Sequence, residues 1–152
     1  KELEKRKKCV IMWGYVSKKG LNYLTPEELN GATLAYLGDA VFELMVREKV
    51  IESGYSNLGK LNELARNFVQ ATEQSKAVSN ILEYLDEEEL SFYKRGKNAK
   101  LNHPKSASAS ESSRATGLET LFAFLYLKGR RDRLDFLFKA AYGEILDTLK
   151  NN

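Results

Sequence analysis

The sequence predicts an all-α fold, and three observations carry that prediction. Apolar residues recur at helical spacing through every long segment. Residues suited to helix starts and stops bracket those segments. No stretch alternates with the two-residue period of a half-buried strand. With 152 residues the chain fits one domain, long enough to bury about two-thirds of its unfolded surface without disulfides.

Residues 1 to 20 read as an extension of unclear role and residues 21 to 152 as the domain. The extension joins a charged opening, Lys1 to Lys8, to the patch Val10 to Val16, which is too short to cross a membrane. Packing on the domain accounts for Trp13 and Tyr15 more simply than nucleic-acid contact does. Thr25-Pro26-Glu27-Glu28 reads as a helix start, with threonine as cap, proline in the first helical position and Glu28 completing a capping box. A long helix is expected to follow directly. Leu29, Ala32, Leu34 or Ala35, Leu37, Val41, Leu44 or Met45 and Val50 keep the recurrence until Gly54 supplies a stop. Gly38 lies inside this helix at a cost of about 1 kcal/mol relative to alanine, which points to close approach of another backbone or chain.

Ser56-Asn57 offers the next cap, and Leu58, Leu61, Leu64, Ala65 and Phe68 face inward. The apolar stripe continues from Val69 to Leu85 after a kink between Phe68 and Thr72. Asp86 to Glu89 opens a further helix, its acids suited to the positive end of the helix dipole. Lys94 to Lys105 then carries five cations and no acid in twelve residues, and Ser106 to Ser112 is small and polar. Such a stretch builds no core, so a mobile surface loop is expected there, with Ser112 or Ser113 capping a helix from about Arg114 to Leu127. Lys128-Gly129 ends that helix, and a last one begins at Asp132 with Leu134, Phe136 or Leu137, Phe138, Ala141, Ile145, Leu146 and Leu149 inward.

Composition narrows the function classes. Against 21 Asp and Glu stand 24 Lys and Arg, a net charge of +3 that gives only a mild general attraction to polyanions. The single cysteine, Cys9, makes no intramolecular disulfide, and no secretory signal or long apolar run is present. The expectation is a cytoplasmic chain with no membrane partner. The single histidine, His103, has no metal-ligand cluster around it, and no phosphate-binding glycine motif of the nucleotide-binding folds occurs.

Three acids interrupt strongly apolar runs. Asp39 and Glu43 stand four residues apart in Leu34 to Val46, and Glu119 stands in Gly117 to Leu127. Burying an unpaired carboxylate costs several kcal/mol, so such acids need a cation or a hydrogen-bond partner. Together the three have the composition of a hard-cation site of the Mg²⁺ kind. The plainer reading leaves Asp39 bonded to a nearby backbone or arginine, with Glu43 and Glu119 on solvent-facing stripes. The basic segment likewise is either a solvated surface or a set of phosphate and sugar contacts. Cleaving a phosphodiester with a metal ion requires both features, clustered carboxylates and cations that hold the strand.

Leu34-Ala35-Tyr36-Leu37-Gly38-Asp39-Ala40-Val41 resembles the signature helix of the ribonuclease III catalytic domain, and Thr116-Gly117-Leu118-Glu119-Thr120-Leu121 resembles that domain's second acidic motif. The family pattern has a Glu four residues before its signature Asp and an Asp three before its second Glu. This chain has Ala35 and Thr116 there. Those departures, and the absence of a double-stranded-RNA-binding domain, make the chain similar to the compact Mini-III branch, over roughly Leu21 to Leu149. A motif of the Lys94-Arg95-Gly96-Lys97-Asn98-Ala99 type recurs between the acidic helices of that branch.

The resemblance implies a ribonuclease III-like helical bundle acting as a homodimeric, Mg²⁺-dependent endoribonuclease, with Mn²⁺ able to substitute. Its substrate would be double-stranded RNA, at the ends of the large-subunit (23S) ribosomal RNA precursor, with a ribosomal protein as a possible presenter. The products would carry 5′-phosphate and 3′-hydroxyl ends. Asp39 and Glu119 match the catalytic, metal-binding acids. Glu43 is a weaker candidate ligand, and the Thr116 hydroxyl is placed to reach a water. Lys94, Arg95, Lys97, Asn98, Lys100 and Lys105 would grip the RNA backbone, and Tyr36 is a candidate dimer contact. The rival expectations are a non-catalytic ribonuclease III-like subunit that binds RNA or the ribosome, and a helical protein-interaction module.

Overall fold

The computed structural model of the chain describes residues 25–100 and 108–150, and every regular element among them is helical. Residues 1 to 20, Cys9, His103 and Lys105 lie outside the described residues. The α-helices are α1 (Gly31–Glu52), α2 (Leu58–Val69), α3 (Ala71–Ile81), α4 (Glu87–Lys97), α5 (Ala109–Leu127) and α6 (Arg131–Lys150).

The start of α1 differs from the sequence expectation. Thr25 does form a capping box with Glu28, but the box closes only a 3₁₀ turn, Pro26–Glu28, and Leu29 then returns to extended backbone. The long helix begins at Gly31, where the Asn30 side chain accepts from the Thr33 amide at 2.9 Å. Two competing caps five residues apart are thus both used. At its far end α1 stops at Gly54, whose φ of +85° suits a residue without a Cβ. Asn57 caps α2, accepting from the Lys60 amide. The expected kink between Phe68 and Thr72 is a full break, because Gln70 adopts extended φ and ψ between α2 and α3.

Asp86 and Glu89 form a capping box at the head of α4. The basic stretch is corrected here: Lys94 to Lys97 are not loop but the last turn of α4, with Asn98 as its C-cap. Three basic residues in a final turn complement the helix dipole. The small polar stretch is also partly helical. Ser108 caps α5 and Glu111 returns the bond to the Ser108 amide, so the helix starts five residues before the expected Arg114 and Ser112 lies buried within it.

α5 is the hub, packing on α1, α3, α4 and α6. It is buried on nearly every side from Ser112 to Leu125, the character of a central helix rather than a surface one. Phe42 of α1, Phe68 of α2, Phe122 of α5 and Phe138 and Tyr142 of α6 form an aromatic cluster with ring centroids 5.1 to 6.5 Å apart. α6 is kinked at Tyr142, whose φ of −121° and ψ of 21° leave the helical region. Behind the hub, Phe92 of α4 stacks on Phe124 at 4.0 Å.

Candidate active site

The two acids come together because α1 and α5 touch backbone to backbone. A Cβ built on Gly38 would lie 1.8 Å from the Glu119 carbonyl oxygen and 2.9 Å from its Cα, so any side chain at position 38 would push the helices apart. The close approach expected of Gly38 is therefore made by the chain's own α5. Asp39, next along α1, is exposed, and Glu119 is half-buried.

Electrostatics set Glu119 apart. Loss of water around it and, next, the neighbouring Asp39 charge push its carboxyl up to about 7, while a side-chain hydrogen bond from Gln74 acts in the opposite direction. Among the described residues no cation pairs with it. Two carboxylates at close quarters, one of them poorly solvated, are stabilised by a divalent cation between them. Mg²⁺ is commonly held by one or two protein carboxylates, with water and substrate phosphate completing its shell. The donor set of Asp39 and Glu119 fits that ion.

Glu43 does not join them. Its carboxylate pairs with Arg47 one turn on, at 2.5 Å, and both side chains are exposed. Among the described residues no three acid, histidine or cysteine side chains form a metal-binding group. Of the three expected carboxylates, the structure brings Asp39 and Glu119 together and leaves Glu43 with Arg47. Thr116 is buried, and its hydroxyl donates back to the Ser112 carbonyl at 3.0 Å, which directs it into α5 rather than toward solvent. The neighbouring Thr120 hydroxyl bonds the Thr116 and Gly31 carbonyls, tying α5 to the first turn of α1.

The basic turn of α4 lies beside this crossing. Gly96 packs so closely on α5 that a Cβ there would lie 2.1 Å from the Thr120 hydroxyl oxygen, one residue from Glu119. Lys94, Lys97, Asn98 and Lys100 are exposed around it. Arg95 has a different duty. One guanidinium nitrogen donates to the carbonyls of Pro26, Glu27 and Leu29 at 3.0 to 3.2 Å, and the group lies 4.4 Å from the centre of the Phe92 ring. It locks the 3₁₀ turn onto α4, so its assignment to RNA gives way to a structural one.

Sequence reasoning missed Gln74 and Arg114. Gln74 is only 4% exposed and shares the inward face of α3 with Ala77, Val78 and Ile81. That i, i+3, i+4, i+7 pattern was the available signal, a polar residue on an apolar stripe. Arg114 of α5 donates to the Ser75 carbonyl at 2.8 Å and to the Ser79 hydroxyl. Tyr36 is 86% exposed on the outer side of α1.

Apposed acids on two closely packed helices, flanked by a basic turn, are compatible with metal-assisted phosphodiester hydrolysis. The Ribonuclease III domain family matches residues 32–130, a span that contains both acids and the basic turn. A Mini-ribonuclease 3 of Desulfitobacterium hafniense is 44% identical over 113 residues, covering 74% of this chain and 72% of the relative. One from Symbiobacterium thermophilum is 42% identical, covering 76% and 90%. A crystal structure of a Fusobacterium nucleatum protein superposes with a TM-score of 0.72 at 32% identity, covering 78% of this chain and 92% of that one. The chain belongs to the Mini-ribonuclease 3 family of ribonuclease III-type endoribonucleases.

Proposed function

We propose that the chain is a Mg²⁺-dependent endoribonuclease that cuts double-stranded RNA, with Mn²⁺ able to substitute, and that it trims the large-subunit ribosomal RNA precursor. The observation that carries the reading is the backbone contact of Gly38 with Glu119, which brings two carboxylates together with no cation paired to Glu119 among the described residues. Asp39 and Glu119 would hold the ion, which supplies the Lewis acid for phosphodiester hydrolysis. Asp39 offers its carboxylate from the solvent side, where a phosphate can approach. Glu119 faces it from the apolar side, where reduced screening strengthens its attraction for a cation. Lys94, Lys97, Asn98 and Lys100 would bear on the RNA backbone, and Lys105, five residues further along the sequence than Lys100, extends the same basic run. A-form duplex would be selected by shape and 2′-hydroxyl contacts more than by base identity.

The active unit in this reading is a homodimer in the cytoplasm, with a ribosomal protein as a candidate presenter of the RNA. Tyr36, Leu44 and Ile51 are exposed and share one outer stripe of α1, an apolar surface suited to a second copy. Incubation of the purified chain with double-stranded RNA and Mg²⁺ tests the proposal, with Asp39→Asn and Glu119→Gln as controls. Cleavage by the wild type alone, leaving 5′-phosphate ends, supports it. Binding without cleavage in either Mg²⁺ or Mn²⁺ overturns it in favour of a non-catalytic RNA-binding subunit.

A further inference from the structure

We propose that Tyr84 and Phe136, with Leu82, form a docking surface for a lysine- and arginine-rich segment of another protein. These three side chains are 37 to 47% exposed. Leu82 and Tyr84 stand in a 3₁₀ turn, Leu82–Tyr84, between α3 and α4, and Phe136 stands on α6. The two rings meet edge to face, at 89° with centroids 5.7 Å apart. Arg133 holds them there. Its Nη2 donates to the Tyr84 carbonyl, its guanidinium lies 5.2 Å from the centre of the Phe136 ring, and two bonds to Glu89 fix that group. Aromatic side chains are enriched at protein interfaces, and a pair already held in place loses little freedom when a partner binds.

Charge selects the partner. Glu83 precedes Tyr84, Glu87 opens α4 three residues after it, and Asp132 lies one helical turn before Phe136 on the same side of α6. All three acids are exposed and have no ion pair among the described residues. Lys139, three residues after Phe136, is the one cation of α6 without such a pair. Three acids against one cation leave the rings in a negative surround, which repels RNA phosphates. A second copy docked through the same patch would set these acids against their own counterparts. A basic segment has neither conflict. Its lysines and arginines would pair with the acids, an arginine plane can stack on an aromatic face, and an apolar side chain would cover Leu82 and Phe136. α4 is polarised in the same sense, with Glu87, Glu88 and Glu89 in its first turn and Lys94, Arg95 and Lys97 in its last. Its ends are about 15 Å apart at 1.5 Å per residue. The helix thus offers its head to a polycation, and in the RNA reading above its tail to a polyanion.

The test uses the full chain and a fluorescein-labelled peptide of twelve residues, half of them lysine or arginine, with one central tryptophan. Fluorescence anisotropy gives its Kd for the wild type, for Phe136→Ser and for Glu83→Lys combined with Asp132→Lys. The same peptide with glutamate in place of its cations, and a twelve-nucleotide single-stranded RNA, serve as controls. The basic peptide is expected to bind the wild type, with Kd raised about tenfold in each variant, and the glutamate peptide is expected not to bind. In nitrogen-15 spectra its addition should shift backbone amides at residues 82–88 and 132–139. The charge variant and these shifts decide the matter even where Phe136→Ser folds poorly. No binding of the basic peptide to the wild type overturns the proposal. So does a Kd unchanged in Phe136→Ser, the pattern of charge attraction alone. Binding of the single-stranded RNA that weakens in Phe136→Ser overturns it in favour of base stacking. A smaller mass by light scattering in Phe136→Ser than in the wild type assigns the surface to a second copy and overturns it too.

Discussion

Glu89 and Glu119 both place a carboxylate among apolar helices, and they are treated in opposite ways. Glu89 is 1% exposed, and Arg133 of α6 meets it with two parallel bonds, Nε to Oε1 and Nη2 to Oε2, each at 2.8 Å. The Asp86 amide completes its shell as part of the capping box. Glu119 has no ion pair among the described residues and a neighbouring negative charge in Asp39. One acid is neutralised within the chain and joins α4 to α6. The other is left with unmet demand for a cation, at the point where α1 and α5 touch. A buried acid with a full complement of partners is architecture, whereas one with too few marks where a ligand belongs.

Replacing the two acids should separate these roles most strongly. Glu119→Gln or Asp39→Asn is expected to lower cleavage by about 10³-fold or more, the ~4 kcal/mol scale of a Lewis-acid contribution. Tm should hold or rise in Glu119→Gln, because a charge leaves apolar surroundings. A large loss of Tm in that variant would put Glu119 in the same class as Glu89. Arg133→Ala tests the other side. It strands the Glu89 charge and should cost about 3 kcal/mol, or roughly 10 °C in Tm, read by urea and thermal melts. Cleavage per folded molecule should stay within about twofold of wild type, since Arg133 lies on the α4–α6 contact away from the acid pair.

The basic turn repeats the contrast on a smaller scale. Reversing Lys94 and Lys97 to Glu should weaken binding to duplex RNA and flatten its salt dependence, each lost phosphate contact lowering the slope by about one. Circular dichroism should show no loss of helix. Arg95→Ala should instead lower Tm, because three carbonyls lose their donor.

pH reads the acid pair without any RNA. The Glu119 carboxyl has a folded-state value of about 7 against 4.5 for an ordinary glutamate. Between those values the folded chain binds more protons than the unfolded one. Stability of the metal-free protein should therefore fall as pH rises from about 5 to about 8, as Glu119 loses its proton. Urea midpoints at several pH values check this, and the same slope in Glu119→Gln would assign it elsewhere. The smallest effect is expected at Tyr142. Its buried hydroxyl has no partner among the described residues, so Tyr142→Phe should stabilise by about 1 kcal/mol, or about 3 °C.

Much of this was readable before the structure. The 3.6-residue recurrence located five of the six described helices, the acids Asp86 to Glu89 marked the start of α4, and Asp39 and Glu119 stood out as acids inside apolar runs. Boundaries were less legible where two caps compete. Thr25 and Asn30 both cap, and only the return of Leu29 to extended backbone decides which one starts α1. Ser108 was passed over because seven small polar residues look alike until Glu111 closes the box. Among site residues, Glu43 shares a helical side with Asp39, but Arg47 one turn further on takes its charge. Arg95 looked like one more solvated cation, because its partners lie 66 to 69 residues earlier in the chain. Gln74 needed α5 in place before its inward face had a meaning.

The crossing at Gly38 also has a kinetic side. Position 38 and its contact at position 119 are 81 residues apart, so the contact closes a loop spanning more than half of the chain. Loop closure of that length comes late, after the local helices have formed. A chain still being synthesised, with α1 folded and α5 not yet made, carries Asp39 without its counterpart. In the metal-site reading proposed above, the acid pair is therefore complete only once α5 has been made and has packed on α1.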